Sequence, residues 1–170
     1  MKEMVNAFSE YARAPRFEMA SVNVNKLVAE VTDLYRAQVA GRGVRLRVTL
    51  DPTLSEMVAD QGRLRQLLHN LLTNAVEALE GRDGGEILVT TRLTTREGVE
   101  VAEIAVEDNG PGFQREQIGS VFDPYVTTKA RGTGLGLAIV RKIVEEHGGY
   151  VEADNRTGGG ARVRVDLPID

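Results

Sequence analysis

The chain has 170 residues, 42% of them hydrophobic and 27% charged, with a net charge of −4; this is the balance of one globular domain with at most a short appendage. The acidic balance argues against a general nucleic-acid binder, and the absence of cysteine excludes disulfides, thiol nucleophiles and thiolate zinc sites. Two histidines are too few for a multi-histidine metal site, no apolar run approaches the roughly 18 residues of a membrane span, and no signal peptide opens the chain.

Residues 1–13, MKEMVNAFSEYAR, predict a helix, because Met4, Phe8 and Tyr11 recur at helical spacing and Pro15 disfavours its continuation. This opening piece reads as the tail of a helix belonging to an upstream unit. A second helix is expected over 24–40 with Leu27, Val31, Leu34 and Tyr35 as its apolar stripe, stopped by GRG. VRLRVTLD alternates and reads as a strand with Val44, Leu46, Val48 and Leu50 on one face, and MVAD as a short partner strand. Residues 60–80 carry the strongest helix signal: Leu64, Leu67, Leu68, Leu71, Ala75, Ala78 and Leu79 line one face and Asp60 caps the start. EILVTTRL and VEVAEIAVED read as antiparallel strands turning near Gly98, the second ending at Asp108. A loop region fills 109–134, a helix runs from Leu135 to His147, and YVEADN, a TGGG turn and ARVRVDLP form a closing hairpin. Strict βαβ alternation is missing. The order predicts a mixed, mostly antiparallel sheet with helices on one face, a two-layer α/β sandwich.

Three features could carry chemistry. Asn70 and Asn74 share one side of the 60–80 helix, beside the leucine stripe. An asparagine oxygen is a hard neutral ligand suited to Mg²⁺, though the pair reads equally as solvated amides. Asp108 enters DNGPG; its carboxylate can accept from a purine amino group while Gly110 and Gly112 let a planar ligand approach, yet DNG is also a common turn. Gly132, Gly134 and Gly136 precede a helix, whose backbone amides suit phosphates, with Lys129 and Arg131 adding positive charge; the plain alternative is a flexible loop. Neither a P-loop nor a Rossmann fingerprint fits these glycines. Taken together and in order, the three supply metal, base and phosphate contacts, as a nucleoside triphosphate requires.

The ordered motifs NLLTNAVEAL, DNGPGF, FDPYVTTK and GTGLGLAIV resemble the N, G1, F and G2 boxes of the catalytic, ATP-binding domain of sensor histidine kinases, within the gyrase, Hsp90, histidine kinase and MutL superfamily. The likeness spans about residues 20–168, and FSEYARAP with FDPYVTTKARGTGLGLAIV is most similar to nitrogen-regulation, NtrY-like kinases. It implies the Bergerat-type ATP-binding fold over 16–170, with residues 1–15 as the end of a dimerisation and phospho-acceptor hairpin. By position, Asn74 matches the Mg²⁺ ligand, Asn70 its phosphate-side neighbour and Asp108 the adenine-binding acid, with Gly110 and Gly112 shaping the adenine site. Phe122 falls in the F box beside the mobile ATP lid; Lys129 and Arg131 fall in the lid, and Gly132, Gly134 and Gly136 are the glycines that let it close on phosphates. Thr128, Thr133, Leu135 and Leu137 join them as nucleotide-binding positions, Lys129 joins Asn70 and Asn74 as catalytic, and Gly158 to Gly160 turn near the adenine.

Two departures qualify the likeness. The ATP-hydrolysing relatives carry a general-base glutamate where this chain has Asn70, which favours a kinase over an ATPase. Neither histidine fits the phospho-acceptor pattern of the family: His69 is expected to contribute at most on the phosphate side or as a base, and His147 to be structural at a helix end that favours a cation. The implied activity is transfer of the γ-phosphate of Mg-ATP to a histidine on an upstream hairpin, for relay to a response-regulator receiver domain. The implied setting is the cytoplasmic, soluble region of a membrane-linked homodimer. Two alternatives stand beside it: a serine kinase of the same fold acting on an anti-sigma antagonist, against which the N-terminal helix argues, and a non-enzymatic nucleotide-binding module.

Overall fold

The computed structural model describes residues 17–125 and 135–170, so the helix expected over 1–13 lies outside the described residues. In chain order the elements are β1 (Met19–Val22), α1 (Val24–Ala40), β2 (Arg45–Thr49), β3 (Met57–Asp60), α2 (Gln61–Ala78), β4 (Glu86–Arg96), β5 (Val99–Asp108), a 3₁₀ segment (Arg115–Ser120), α3 (Gly136–Glu146), β6 (Tyr150–Asn155) and β7 (Ala161–Pro168). Five strands form one sheet in the order β2-β4-β5-β7-β6. The β2–β4 pair is parallel and the other three pairings are antiparallel, giving the mixed sheet expected from the sequence.

Period-two alternation sorts the sheet into two faces. On one, Ala102, Ile104 and Val106 of β5 and Val163, Val165 and Leu167 of β7 join Leu64, Leu67, Leu68 and Leu71 of α2 and Ile139, Val140 and Ile143 of α3 in a single core. On the other, Arg92, Glu103, Arg96, Asp166, Arg164 and Glu152 meet as ion pairs across β4, β5, β7 and β6. The helices therefore cover the apolar face alone, the two-layer arrangement the element order implies.

The helix starts are set by short polar side chains. Asn23 accepts from Lys26 N at the head of α1, and Asp60 accepts from Arg63 N at the head of α2, where the sequence places a cap. Two expectations are corrected. Leu34 is 61% exposed, because the buried stripe of α1 runs through Val24, Leu27, Val28, Val31, Thr32 and Val39, and Leu34 lies beyond its edge. MVAD is a strand, but it pairs with β1, in the register Met19↔Asp60 to Val22↔Met57, and not with the strand before it. β1 itself has four residues, three of them exposed, too short a run for alternation to announce it.

Candidate functional site

The site grows from two element ends that meet. α2 ends at Ala78, and the carbonyl of Ala78 lies against Gly110: a Cβ built on Gly110 would sit 2.7 Å from that oxygen and 2.9 Å from Asp108 Oδ1. Glycine is required here by proximity. β5 ends at Asp108, which is 3% exposed and whose Oδ1 accepts from Gly110 N at 2.8 Å and from Ala161 N at 3.4 Å. A carboxylate only accepts hydrogen bonds, so burying it against the Gly110 and Ala161 amides fixes both its place and its polarity.

From Ala78 the axis of α2 leads away from this acid. With a rise of about 1.5 Å per residue, Asn74 lies about 6 Å and Asn70 about 12 Å along the helix. The amide Nδ2 of Asn70 is buried and meets no acceptor among the described residues. Leaving a buried donor unsatisfied costs about 1–3 kcal/mol, so this atom is suited to an oxygen that arrives with a ligand. Asp108 and Asn70 thus mark two ends of one line, an acceptor at the first and a donor at the second, with the Asn74 amide between them. That donor set fits a purine at Asp108, a phosphate oxygen at Asn70 and a hard divalent cation at the Asn74 oxygen.

Three side chains that sequence reading passed over hold the turn from 109 to 113. Asn109 ties it to the start of β4: its Oδ1 accepts from Glu86 N at 2.7 Å and its Nδ2 donates to Gly84 O at 3.0 Å. Asn155, at the end of β6, grips the Phe113 peptide from both sides, Oδ1 accepting from Phe113 N at 2.7 Å and Nδ2 donating to Phe113 O at 3.0 Å. Arg156 donates from Nη1 to Asp108 O at 3.1 Å and pairs through Nε with Glu107 at 3.3 Å. Of the glycines expected near the acid, Gly160 touches it, since at φ +105° an added Cβ would fall 1.9 Å from Asp108 O; Gly158 and Gly159 have open space around theirs. Their positive φ values shape the hairpin turn instead.

The remaining expected residues divide. Phe122 and Leu137 are half-buried and pack on the core, and Leu135 is fully buried in it, so these side chains anchor the two borders of the 126–134 segment. Gly136 opens α3, and nothing lies within 4 Å of the position its Cβ would take. Thr128, Lys129, Arg131, Gly132, Thr133 and Gly134 lie outside the described residues.

The histidines are both drawn into packing. His69 projects into the seam between α1 and α2, where its Nδ1 lies 3.1 Å from the hydroxyl of Tyr35, which also reaches Thr73 Oγ1 at 3.0 Å. Burial, with Arg65 nearby, holds His69 below the ordinary histidine range. This seam contact engages Nδ1 of the ring. His147 is structural as expected, packed at the end of α3 against the start of α2. Its Nε2 accepts from Asp60 N at 3.1 Å, which needs a lone pair, leaving Nδ1 to donate to Ile143 O at 2.8 Å.

Residues 59–170 match the family described as histidine kinase-, DNA gyrase B-, and HSP90-like ATPase. The sensor histidine kinase ZraS of Klebsiella oxytoca is 37% identical over 170 residues, which is 100% of this chain and 36% of that protein. The sensory histidine kinase/phosphatase NtrB of Rhizobium leguminosarum bv. phaseoli is 39% identical over 145 residues, 79% of this chain and 38% of that protein, in keeping with the nitrogen-regulation character of the motifs. The chain thus spans about a third of the length of these relatives. Among solved structures, the nucleotide-free catalytic domain of histidine kinase ThkA superposes with a TM-score of 0.79 at 32% identity, covering 89% of this chain and 96% of that one. ThkA in complex with the response regulator protein TrrA superposes with a TM-score of 0.83 at 28% identity, covering 99% of this chain and 47% of that one.

Proposed function

The chain belongs to the histidine kinase-, DNA gyrase B-, and HSP90-like ATPase family, and from that premise we propose that it is the ATP-binding catalytic domain of a sensor histidine kinase. It transfers the γ-phosphate of Mg-ATP to a histidine on a helical hairpin, of which residues 1–15 are the end, for relay to a response-regulator receiver domain. The observation that carries this reading is the line from buried Asp108 to the buried, unpartnered amide of Asn70 along one face of α2. The existence of a ThkA complex with a response regulator supports the choice of partner.

Each residue has a distinct task. Asp108 accepts from the exocyclic amino group of adenine and meets the carbonyl of guanine with like polarity, so it selects ATP. Asn70 donates to a phosphate oxygen. Asn74 offers its amide oxygen to Mg²⁺, which when bound neutralises phosphate charge. Lys129 and Arg131 supply further charge from the lid, and Gly132, Gly134 and Gly136 let its backbone approach. Asn70 cannot take a proton from water, so nothing at that position activates hydrolysis, and the phosphate is kept for an oriented nucleophile. No helix among the described residues is long and apolar enough to cross a membrane, and the proposal sets the domain on the cytoplasmic side, where ATP is.

Phosphotransfer tests the reading. Mixed with the matching upstream hairpin and radiolabelled Mg-ATP, the chain should place acid-labile, base-stable phosphate on the hairpin, while the chain alone turns ATP over very slowly. Rapid release of free phosphate with no label on the hairpin would move it to the hydrolysing branch of the family.

A further inference from the structure

The turn from Asn109 to Gln114 belongs to no helix or strand, so no ladder of backbone bonds fixes its shape. Its first half is tied by Asp108 and Asn109. Its second half depends on a side chain: among the described residues, the N–H and the carbonyl of Phe113 are both bonded by Asn155 alone. One amide group facing one peptide group reproduces the two-bond exchange of a strand pair, at a place where no strand continues. The fit is close, since Gly112, at φ +79°, passes Asn155 so tightly that a Cβ there would lie 2.7 Å from its Oδ1. Asn155 itself is exposed and 42 residues distant in sequence from the peptide it holds.

We propose that Asn155 is a positioning residue for base recognition: by clamping the Phe113 peptide to the end of β6 it holds the Gly110–Gly112 wall at a fixed distance from Asp108, so that the acid discriminates adenine from guanine. The inference rests on the ATP-binding reading of the site and adds to it a residue that touches no nucleotide. Arg156 and Gly160 come from the same hairpin and meet Asp108 O, and the Gly160 carbonyl also lies 3.2 Å from where a Cβ on Gly112 would sit, but neither bonds the Phe113 peptide. Asn155 is an exposed side chain that bonds the far end of the wall, which makes its effect on binding separable from its effect on folding.

The test compares Asn155→Ala and Asn155→Asp with the parent, using calorimetric titrations with Mg-ATP, Mg-GTP and tripolyphosphate, a thermal melt, and amide exchange at Phe113. Because an exposed side chain is removed, Asn155→Ala should melt within about 5 °C of the parent. It should bind ATP about tenfold more weakly, because the loosened wall must then be ordered as the base binds, with the ATP-over-GTP preference narrowed and tripolyphosphate affinity unchanged. Exchange at Phe113 should quicken. Asn155→Asp keeps an acceptor for Phe113 N and lacks the donor to Phe113 O, so it should fall between parent and Asn155→Ala; it decides the matter should Asn155→Ala not fold. ATP affinity and ATP-over-GTP preference within twofold of the parent overturn the proposal. So does a parallel loss of ATP affinity, tripolyphosphate affinity and melting temperature, which would mark a purely structural role. A parent that fails to prefer ATP over GTP instead overturns the reading of Asp108 on which the proposal rests.

Discussion

Replacing Asp108 by Asn changes one atom in the most constrained part of the site. Gly110 N at 2.8 Å and Ala161 N at 3.4 Å donate to Oδ1 of the carboxylate, and an asparagine oxygen can accept both. The turn should therefore survive, with a melting temperature close to the parent's. On the proposed reading, what changes is the group that accepts from the amino group of adenine, where an NH₂ donor replaces an oxygen. The loss is one charge-assisted hydrogen bond in a position only 3% exposed, worth about 1.5–3 kcal/mol. That corresponds to ATP affinity weaker by about 10- to 150-fold. The guanine carbonyl is an acceptor, so GTP should lose nothing and can gain. Calorimetric titration of both nucleotides against both proteins reads the two effects separately. An Asp108→Asn protein that binds ATP as the parent does, or that keeps the same ratio of ATP to GTP affinity, would refute the assignment of Asp108 to the base.

Other positions give sharp expectations. Asn74→Ala should abolish phosphotransfer and erase the Mg²⁺ dependence of nucleotide affinity in titrations at graded Mg²⁺, whereas Asn70→Ala should be milder, weakening binding without removing that dependence. Gly160→Ala combines φ +105° with a Cβ 1.9 Å from Asp108 O; it should cost about 1–3 kcal/mol in a denaturant titration, since either the backbone or the strand end must shift. Asp60→Ala removes the cap of α2 and the acceptor for Glu18 N, and should lower stability by about 0.5–2 kcal/mol. Burial pushes the Asp60 carboxyl up, but the backbone donors Glu18 and Arg63 and the Arg63 guanidinium outweigh it and hold it below the usual value of 3.8. A lowered folded pKa means a contribution present above the unfolded value and lost as pH falls through the folded one. Thermal melts from neutral pH down past 3.8 should therefore show the parent losing stability that the Ala variant has already lost.

The elements that were legible in the sequence are those whose periodicity repeats several times. α2 shows its apolar stripe from Leu64 to Ala78 over about four turns, β4 alternates from Glu86 to Thr91 and β5 is a ten-residue run rich in valine, isoleucine and alanine, so their type, their pairing and the end of β5 at Asp108 could be read directly. β1 could not, because four mostly exposed residues contain no repeat. Leu34 misled because position on a helical wheel says which residues neighbour one another, not where the facing layer ends. In the proposed site, Asn70, Asn74 and Asp108 are the residues the sequence offers by chemistry and order. Asn109, Asn155 and Arg156 were not, since each acts through a partner 23 to 48 residues away and only the strand order brings them together. NRTG reads as turn chemistry and carries no sign of what the turn embraces.

The strand order also governs how the molecule comes into being. β7 follows the other strands of the sheet in sequence yet sits inside it, between β5 and β6. On a ribosome, α2, β4 and β5 emerge well before it, and until it arrives β5 presents an unpaired edge and the core face of the sheet lacks Val163, Val165 and Leu167. Pairing across such separations closes slowly, because the loop entropy is lost before the contacts form. The acid turn matures last, as Ala161 N and the Asn155 clamp both come from that closing hairpin. A nascent chain therefore cannot hold the base before its sheet is complete, and competence to bind becomes a report that synthesis of the domain has finished.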